Sequence, residues 1–374
     1  MSVFTLYYII PFLATITALF IVGAIHYTFF YETKLTLYSG ESPILPVQLA
    51  GRDKEIRRIA RQIMTGQSSA IIGPFSSERT SILDALQNIE LYGDKANQLI
   101  FSYLDISLLN QDCSQTQFWE NALKPFQAQM DDETGSALSK VYQDCQNHQF
   151  DNFYLNRVFE QLKKDDLRLV LMLDRFDLLL HRDHLNRSDF FAYLRTRASR
   201  YPSPLSLIIT LNNSLYQFHQ ETTKLNPLGS PYLNFLEANV ITLGALSESE
   251  IDELLHQRER FTEEDCRFIK EIAGGHPYLL QVAATVLWEA YDNEEENPID
   301  SARKTFPDSV EGLLNSILQS WSVNIRKAFM SVAQQRDVSD FKSELEVLEK
   351  QGFLIEDNGV WRVRASVFLS FVGD

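Results

Sequence analysis

The segment that runs from Gly73 to Ser81 carries residue types suited to phosphate chemistry. It reads GPFSSERTS and follows a short apolar run. In the phosphate-binding loop GxxxxGK[ST], the glycines let backbone N–H groups surround an anion, the lysine reaches the β- and γ-phosphates, and the hydroxyl binds magnesium. Gly73 and Thr80 are in register with this motif, whereas Glu78 replaces its second glycine and Arg79 replaces its lysine.

Both replacements alter the chemistry that this segment could perform. Glu78 brings a negative charge and a Cβ atom to a point where the backbone would have to approach phosphate. Arg79 keeps the positive charge of lysine, but its guanidinium is planar and forked and does not reproduce the geometry of an ammonium group. Because any turn from a strand to a helix can carry Gly, Pro and Ser, the segment alone does not establish a nucleotide site.

A second segment, LVLMLDRFD, ends an apolar run with Asp174. This pattern is typical of the strand whose terminal aspartate orients magnesium in phosphoryl transfer. Most such ATPases place a second acid directly after it to activate water, but that position holds Arg175, which cannot accept a proton. Asp177 follows two residues later. We interpret it as a helix-capping or turn residue, because helix N-termini commonly select Asp, and a role as catalytic base is the alternative.

Apolar runs that alternate with helical patterns predict a doubly wound α/β sheet. Such runs suit parallel strands that are buried on both faces. The candidate strands are Ala70–Ile72, Leu99–Ile106, Leu167–Leu180 and Leu205–Asn213. The chain after them reads as helical, and Ser247 with Glu250 predicts a capping box at a helix start. Near the C-terminus, Asn358-Gly359 predicts the turn of a hairpin.

The N-terminal segment predicts a membrane anchor. No Asp, Glu, Lys or Arg occurs from Ser2 to Tyr31, and this length exceeds the roughly 20 residues with which a helix crosses a hydrocarbon core. A cleaved signal peptide is the alternative, and it fits poorly because no positive charge precedes the run. Basic residues follow it, so the positive-inside rule predicts a single-pass protein of the inner (cytoplasmic) membrane with its C-terminal bulk in the cytoplasm.

The overall charge argues against a nucleic-acid partner. The 374 residues include 50 acidic and 34 basic ones, which gives a formal charge of −16. A field of this sign repels nucleic acid unless a local basic patch opposes it. The three cysteines, Cys113, Cys145 and Cys266, form neither a disulfide framework nor a zinc motif and fit a reducing compartment.

Six motifs in order resemble those of the STAND class of P-loop NTPases, which are relatives of the AAA+ ATPases. They are LAGRDKEI at 49–56, GPFSSERTS at 73–81, LMLDRFD at 171–177, LIITLNN at 207–213, ITLGALSESEIDELL at 241–255 and AGGHPYLLQ at 273–281. The resemblance implies a P-loop NTPase (AAA+/STAND-like) α/β parallel sheet with a helical lid and a C-terminal winged-helix domain. The implied division is a transmembrane anchor 1–31, a linker 32–46, an NTPase-like domain 47–240, a helical lid 241–298 and a winged-helix-like domain 299–374.

The resemblance also implies roles for individual residues. Arg52 would flank adenine, the phosphates would face Gly73, Arg79, Thr80 and Ser81, Thr80 and Asp174 would hold Mg²⁺, Asn212 or Asn213 would sense the γ-phosphate, and Pro277 would close on adenine from the lid. A helix–helix turn is an alternative for the Gly-His-Pro at 275–277, since Gly ends helices and Pro starts them. The two interpretations are compatible.

The departures from the family pattern bear on activity. Members that hydrolyse ATP depend on the loop lysine and usually on an acid after the strand aspartate, and both are replaced here. Groups that stabilise a transferring phosphoryl group are worth orders of magnitude in rate. We therefore expect a pseudo-ATPase with weak or absent binding of ATP or ADP and Mg²⁺. It would act as a membrane-tethered scaffold or signalling switch for a protein partner, and it would form homo-oligomers.

Two alternatives remain open. The first is an active ATPase that uses Arg79 in place of lysine and Asp177 as base. The second, ranked last, is a membrane-bound winged-helix regulator that binds DNA. Residues 300–374 hold 9 basic and 11 acidic residues, whereas DNA-binding domains are usually strongly basic.

Overall fold

The computed structural model describes residues 51–126, 136–200, 203–227, 229–256 and 261–372. The predicted anchor at 1–31 and the predicted linker at 32–46 lie outside these residues. Within the described ranges, no helix combines the length and the apolar character that a membrane crossing requires.

Five parallel strands form the central sheet in the order β2–β3–β4–β1–β5. The strands are β1 (Ser69–Ile72), β2 (Leu99–Asp105), β3 (Arg168–Asp174), β4 (Leu205–Leu211) and β5 (Val240–Thr242). Nearly every residue of β1, β3 and β4 is buried, as expected for continuous apolar runs in a sheet that is covered on both faces. The predicted α/β class with a parallel sheet is confirmed.

Two details of the strand prediction were wrong. The strand predicted at Leu167–Leu180 ends at Asp174, because Arg175 adopts a left-handed backbone conformation with φ of 55° and a 3₁₀ helix follows at Phe176–His181. The apolar run continues there only because side chains of that helix are also buried. The fifth strand, β5, was not predicted; it has only three residues, which pair with β1.

Helices cover both faces of the sheet and form most of the described chain beyond it. They are α1 (Asp53–Met64), α2 (Ser76–Ala85), α3 (Gln115–Ala122), α4 (Ala137–Asn147), α5 (Asn152–Lys164), α6 (Ser188–Ala198), α7 (Leu215–Thr222), α8 (Glu248–His256), α9 (Glu263–Ala273), α10 (Pro277–Asp292), α11 (Pro298–Ser320), α12 (Val323–Ala333) and α13 (Lys342–Lys350). On one face, α1 and α2 pack Ile59 and Leu83 against Met172 of β3. On the opposite face, α3 and α5 contribute Trp119 and Phe159 to a larger core.

A separate hydrophobic core joins the helices that follow the sheet. It includes residues of α8 to α13, among them the fully buried Phe306 and Phe329. The backbone N–H of Ser247 donates to Glu250 Oε2 at 3.0 Å, and that of Glu250 donates to Ser247 Oγ at 3.4 Å, so the predicted capping box is confirmed. The predicted hairpin is confirmed as well. It consists of the antiparallel strands β6 (Leu354–Asp357) and β7 (Val360–Val363).

Candidate functional site

The crossover from β1 to α2 holds the segment that was expected to bind phosphate. β1 ends at Ile72 and α2 begins at Ser76, so only residues 73–75 lie between them. The N–H of Arg79 donates to the carbonyl oxygen of Phe75 at 3.3 Å and is therefore committed to the helix. A loop that surrounds a phosphate with N–H groups needs more residues outside the helix. In this protein the motif is helical from Ser76 onward, so these residues do not form such a loop.

Arg79, at the position of the loop lysine, points back into the protein. Its side chain is fully buried, Nη1 donates to the carbonyl oxygen of Gly73, and Nη2 donates to Asn212 Oδ1 at 2.5 Å. The amide of Asn212 in turn donates to Asp177 Oδ2 at 2.8 Å. Burial lowers the pKa of Arg79, and the nearby carboxylates of Asp177 and Asp174 oppose that shift. The guanidinium thus joins the ends of β1 and β4 through a polar chain.

Glu78, at the position of the second glycine, is also buried and has its own cationic partner. Arg52 Nε donates to Glu78 Oε1 at 2.6 Å, and the exposed fractions of the two side chains are only 4% and 2%. Arg52 Nη2 donates to the carbonyl oxygen of Gly244. Burial raises the pKa of Glu78, whereas the charge and hydrogen bond of Arg52 oppose the rise. Arg52, expected beside adenine, therefore ties the start of α1 to α2 and to the chain after β5.

Asp174 lies at the end of β3 with no exposed surface. Its Oδ2 accepts from Thr80 Oγ1 at 2.6 Å and from the hydroxyl of Tyr103 at 3.3 Å. Its Oδ1 accepts from the hydroxyl of Thr210 and, at 3.0 Å, from the backbone N–H of Arg175. Both carboxylate oxygens are therefore satisfied by protein donors, which offset the cost of burying the charge.

The two residues expected to hold magnesium meet, but they bond to each other. Thr80 and Asp174 supply hydroxyl and carboxylate oxygens, which are the hard ligands that Mg²⁺ prefers. A metal ion would have to open the hydrogen bond between them. In the part of the chain that the structure describes, no group of three or more His, Cys, Asp or Glu residues is arranged to hold a metal ion. Thr80 and Asp174 are residue types that can bind magnesium, but their hydrogen bond to each other is not an arrangement that binds it.

The positions after Asp174 differ from those of a hydrolytic site. Arg175 Nη1 turns toward β2, where it donates to Ser107 Oγ at 2.8 Å and lies 3.6 Å from Asp105 Oδ2. Arg175 is also the N-cap of the 3₁₀ helix, so Asp177 lies in its first turn and not at its cap. Burial raises the pKa of Asp177, and Arg79 opposes the rise. Asp177 belongs to the hydrogen-bonded series that starts at Arg79, and its Oδ1 has no hydrogen-bond partner among the described residues.

The remaining predicted residues divide between the site and its surroundings. Asn213 donates to the carbonyl oxygen of Ser320 at 3.4 Å, so of the two asparagines only Asn212 contacts Arg79. Ser81 lies half-buried one position beyond Thr80 in α2. At Gly73, a Cβ atom would lie 3.0 Å from the side chain of Leu243, so close packing by itself accounts for this glycine.

The lid motif approaches the β1–α2 crossover through its histidine. Pro277 is the buried first residue of α10, as the helix–helix-turn interpretation expected. His276 is fully buried, and its ring centroid lies 4.8 Å from that of Phe75 and 5.1 Å from that of Phe353. Burial, together with the charges of Arg52 and Arg364, lowers the pKa of His276 to about 3. A cluster of tilted aromatic rings therefore connects the crossover to the helix that follows the 273–276 turn and to the C-terminal region.

Sequence reasoning missed three residues that shape this site. Phe75 lies within the expected loop but belongs to the hydrophobic core formed by α8 to α13; we refer to α8 to α10, which occupy the predicted lid positions, as the lid. Tyr103 and Thr210 hold Asp174 from the neighbouring strands β2 and β4. Thr210 carries a signal in the sequence, because it is a hydroxyl near the end of an otherwise apolar strand. Phe75 could have been noticed as an aromatic residue in a loop that normally carries small ones.

No family profile and no curated protein matches this chain. Its structure is similar to that of a Walker-type ATPase of Pyrococcus abyssi, with 14% sequence identity and a TM-score of 0.57 over 86% of this chain and 95% of that one. It also aligns with the ORC1 protein of Aeropyrum pernix in complex with DNA (12% identity, TM-score 0.43, 88% and 93% covered) and with Drosophila ORC bound to DNA (12%, 0.46, 89% and 89%). The likeness to the Pyrococcus protein, together with the parallel sheet, gives the chain a P-loop NTPase fold.

Proposed function

We propose that this protein is a membrane-anchored scaffold or signalling switch, built on a STAND-like P-loop NTPase fold that no longer hydrolyses ATP. The observation that carries the proposal is the position of Arg79. Its fully buried guanidinium is bonded to the carbonyl oxygen of Gly73 and to the side chain of Asn212. These bonds hold it between the residues that follow β1 and β4, beside the segment that the motif resemblance assigns to the phosphates.

Nucleotide binding would require several changes at once. The first turn of α2 would have to unwind to release N–H groups, Arg79 would have to leave both of its partners, and the hydrogen bond between Thr80 and Asp174 would have to open. Each buried polar or charged group that loses its partner costs about 1–3 kcal/mol. A nucleotide would spend its binding energy on these rearrangements, so its apparent affinity would be low.

The scaffold role is supported by what the chain retains around this site. The uncharged segment 2–31 is long enough for a membrane anchor, and the buried polar network at the carboxyl ends of β1, β3 and β4 is held together by the protein's own hydrogen bonds. The helices α11 to α13 with the β6–β7 hairpin suit a winged-helix-like domain. We propose that these parts engage a protein partner, or further copies of this chain, at the cytoplasmic face of the membrane.

Hydrolysis and binding assays on the full chain in mild detergent test the loss of nucleotide chemistry. We expect turnover of ATP to equal that of the Asp174→Ala variant, and ATP and ADP to bind more weakly than a Kd of about 1 mM, or about −4 kcal/mol. Thermal unfolding of each preparation verifies that the protein is folded. ATP turnover that Asp174→Ala abolishes would overturn the pseudo-ATPase assignment.

An active ATPase is the second candidate, and one observation favours it. In the part of the chain that the structure describes, Asp177 Oδ1 has no hydrogen-bond partner, and burial raises the pKa of this carboxyl, so it could accept a proton from water beside Arg79. If this candidate is correct, Asp177→Asn abolishes turnover, and Arg79→Lys, which restores the usual loop residue, maintains or raises it. Under our proposal, neither substitution changes an activity that is absent.

A further inference from the structure

We infer that the solvent-facing side of α1 docks on an anionic lipid surface and holds the domain against the membrane. This inference rests on the proposed function, because it assumes the N-terminal anchor. It adds a second point of attachment, formed by three arginines, Arg57, Arg58 and Arg61, which we name the arginine face.

The arginine face is the exposed side of a helix with an apolar inner side. Its three side chains are exposed, while Ile56, Ile59, Ala60 and Ile63 on the inner side are buried. Seen down the helix axis, residues 57, 58 and 61 fall on one side, since positions three and four apart are neighbours. The surface that this helix turns to solvent over its last two turns is therefore almost purely cationic.

The arginine face has no anionic partner within the described structure. The ion pairs of this region are those of Arg52 with Glu55 and Glu78, and of Lys54 with Glu250. Arg61 Nε donates only to the backbone carbonyl of Arg57 at 3.1 Å. Like charges four residues apart destabilise a helix, so Arg57 and Arg61 oppose each other. Asp53 and Glu55 lie one turn before Arg57 and Arg58 on the same helix, but among the described residues neither forms an ion pair with the arginine face, and Glu55 pairs with Arg52. Three exposed positive charges without an ion pair in the described structure favour an anionic surface outside the protein.

The position of α1 in the chain favours a lipid surface over an acidic protein. α1 is the first helix after the predicted anchor at 1–31, and the intervening segment 32–52 reaches at most about 75 Å at 3.3–3.6 Å per residue. The cytoplasmic leaflet carries a negative surface potential that attracts basic segments near a membrane helix. The anchor would hold the arginine face within reach of that surface. The remaining, strongly acidic part of the protein would be repelled by it, which gives the domain a defined orientation.

A fluorescent label beside the arginine face tests the contact. Thr65 is exposed directly after α1, and the native cysteines Cys113, Cys145 and Cys266 are buried, so Thr65→Cys in the full chain can be labelled selectively. Asn147→Cys provides the control label, because it is exposed at the end of α4 on the opposite face of the sheet. Both proteins are reconstituted into vesicles of phosphatidylcholine alone and of phosphatidylcholine with phosphatidylglycerol.

We expect lipids with spin-labelled headgroups to quench the Thr65→Cys label in the anionic vesicles only. Acrylamide, a neutral quencher that the vesicle charge does not repel, should reach this label less there. The Asn147→Cys label should respond equally in both vesicles. NaCl at about 1 M, where the screening length is about 3 Å, should remove the difference. Each arginine near an anionic leaflet raises the ratio of docked to undocked protein about fivefold. The three arginines together should therefore raise this ratio on the order of a hundredfold.

Matched variants assign the contact to the arginine face. Arg57→Gln, Arg58→Gln and Arg61→Gln combined should abolish the headgroup quenching. A control that also removes three exposed positive charges, Lys124→Gln, Lys163→Gln and Lys164→Gln, should retain it. Equal quenching in both vesicle types, or quenching unaffected by the arginine variant, would overturn the inference while leaving the anchor intact. A chain that is not retained by neutral vesicles would instead refute the anchor, and this inference with it.

Discussion

Arg79 stands at the position of the phosphate-loop lysine. It keeps the positive charge of lysine but has a different side-chain geometry. The forked guanidinium of Arg79 reaches the carbonyl oxygen of Gly73 with one nitrogen and Asn212 with the other, and an ammonium group, as a compact point charge, suits such paired contacts less well. The arginine therefore makes contacts that stabilise the closed arrangement, and Asn212 extends them to Asp177.

Removal of the charge at position 79 should destabilise the protein through Asp177. We expect Arg79→Met to lower the free energy of unfolding by about 3–5 kcal/mol, because it leaves a buried carboxylate without its cation. Asp177→Asn in the same chain should recover part of this loss, with a coupling energy of about 0.5–3 kcal/mol in a double-mutant cycle. Urea unfolding of the four proteins provides the measurement. Additive effects of the two substitutions would mean that Arg79 and Asp177 do not interact.

The buried side chain of His276 should make the stability of the protein depend on pH. Its pKa of about 3 in the folded protein lies below the ordinary value of about 6.5, so the unfolded chain binds the proton first as the pH falls. The histidine therefore reduces stability progressively as the pH falls from about 6.5 toward 3, by about 2 kcal/mol at pH 5.

The variant His276→Phe isolates this contribution from the titration of carboxylates. It keeps an aromatic ring between Phe75 and Phe353 but cannot take up a proton. We expect the free energies of unfolding of the two proteins to differ by about 2 kcal/mol more at pH 5 than at pH 7, in favour of the variant. Parallel pH profiles would show that His276 is not buried in its neutral form.

Among the elements, α2 is the one most altered from a nucleotide-binding arrangement, and Phe75 fixes where it begins. Phe75 is the N-cap of α2, yet its side chain packs in the core of the lid and C-terminal helices. Its ring centroid lies 4.8 Å from that of His276 and 6.0 Å from that of Tyr278. An extended loop at 73–79 would have to pull this ring out of that core, so the lid and the start of α2 depend on each other.

Truncation of Phe75 should weaken both elements together. We expect Phe75→Ala to cost about 3–5 kcal/mol, as large-to-small substitutions of buried aromatic residues do, and to speed hydrogen exchange in the first turn of α2 and in α10. Phe153→Ala is the control, because Phe153 is 64% exposed and its loss should cost less than about 0.5 kcal/mol. Faster exchange in α2 alone would show that the lid does not depend on this ring.

The junction between α9 and α10 packs closely against Ala365, which follows β7. Gly274 has φ of +66°, and a Cβ atom there would lie 2.6–2.7 Å from atoms of Ala365. Gly359, in the hairpin turn, also has positive φ (+81°) but open space around it. Both alanine variants incur the left-handed backbone cost, so Gly274→Ala should cost about 1–3 kcal/mol more, through overpacking. Equal melting shifts would mean that the lid does not press against Ala365.

The sequence was sufficient to predict strands that are long continuous apolar runs. It was not sufficient to predict a very short strand or the residue at which a strand ends. β3 and β4 were recognised because they are apolar on both faces. β5, with three residues, is too short for any periodicity, and the end of β3 was overlooked because Phe176 and Leu179 are buried beyond the turn. In the site, the two motifs predicted that Thr80 and Asp174 lie close together, and the two side chains are hydrogen-bonded. That α2 begins already at Ser76 could not be predicted, because it depends on the long-range packing of Phe75.

On the scale of the whole molecule, the lid and the C-terminal region share one core. The ring of Phe353 contacts that of His276, Arg364 Nη2 donates to the carbonyl oxygen of Leu246 at 2.8 Å, and a Cβ atom on Gly352 would lie 2.3 Å from the backbone of Ala245. Apolar residues of α8 to α10 and of α11 to α13 belong to the same buried cluster. The sequence-based boundary at 298/299 therefore falls after the first residue of α11, a helix that packs against α10.

This shared core predicts that a cut between α10 and α11 does not separate the two parts. Residues 292–297 are exposed and highly acidic, so a specific protease site inserted between Asp292 and Glu296 should be tolerated. After cleavage, we expect both fragments to elute as one species in size-exclusion chromatography and to separate only in urea, because the buried apolar cluster, not the linker, holds them together. Uncleaved chain carrying the same insertion controls for its effect on folding. Fragments that separate under native conditions would instead make the lid and the C-terminal helices independent domains, and the aromatic contacts from Phe75 through His276 to Phe353 could not then link the crossover at β1 to the C-terminal region.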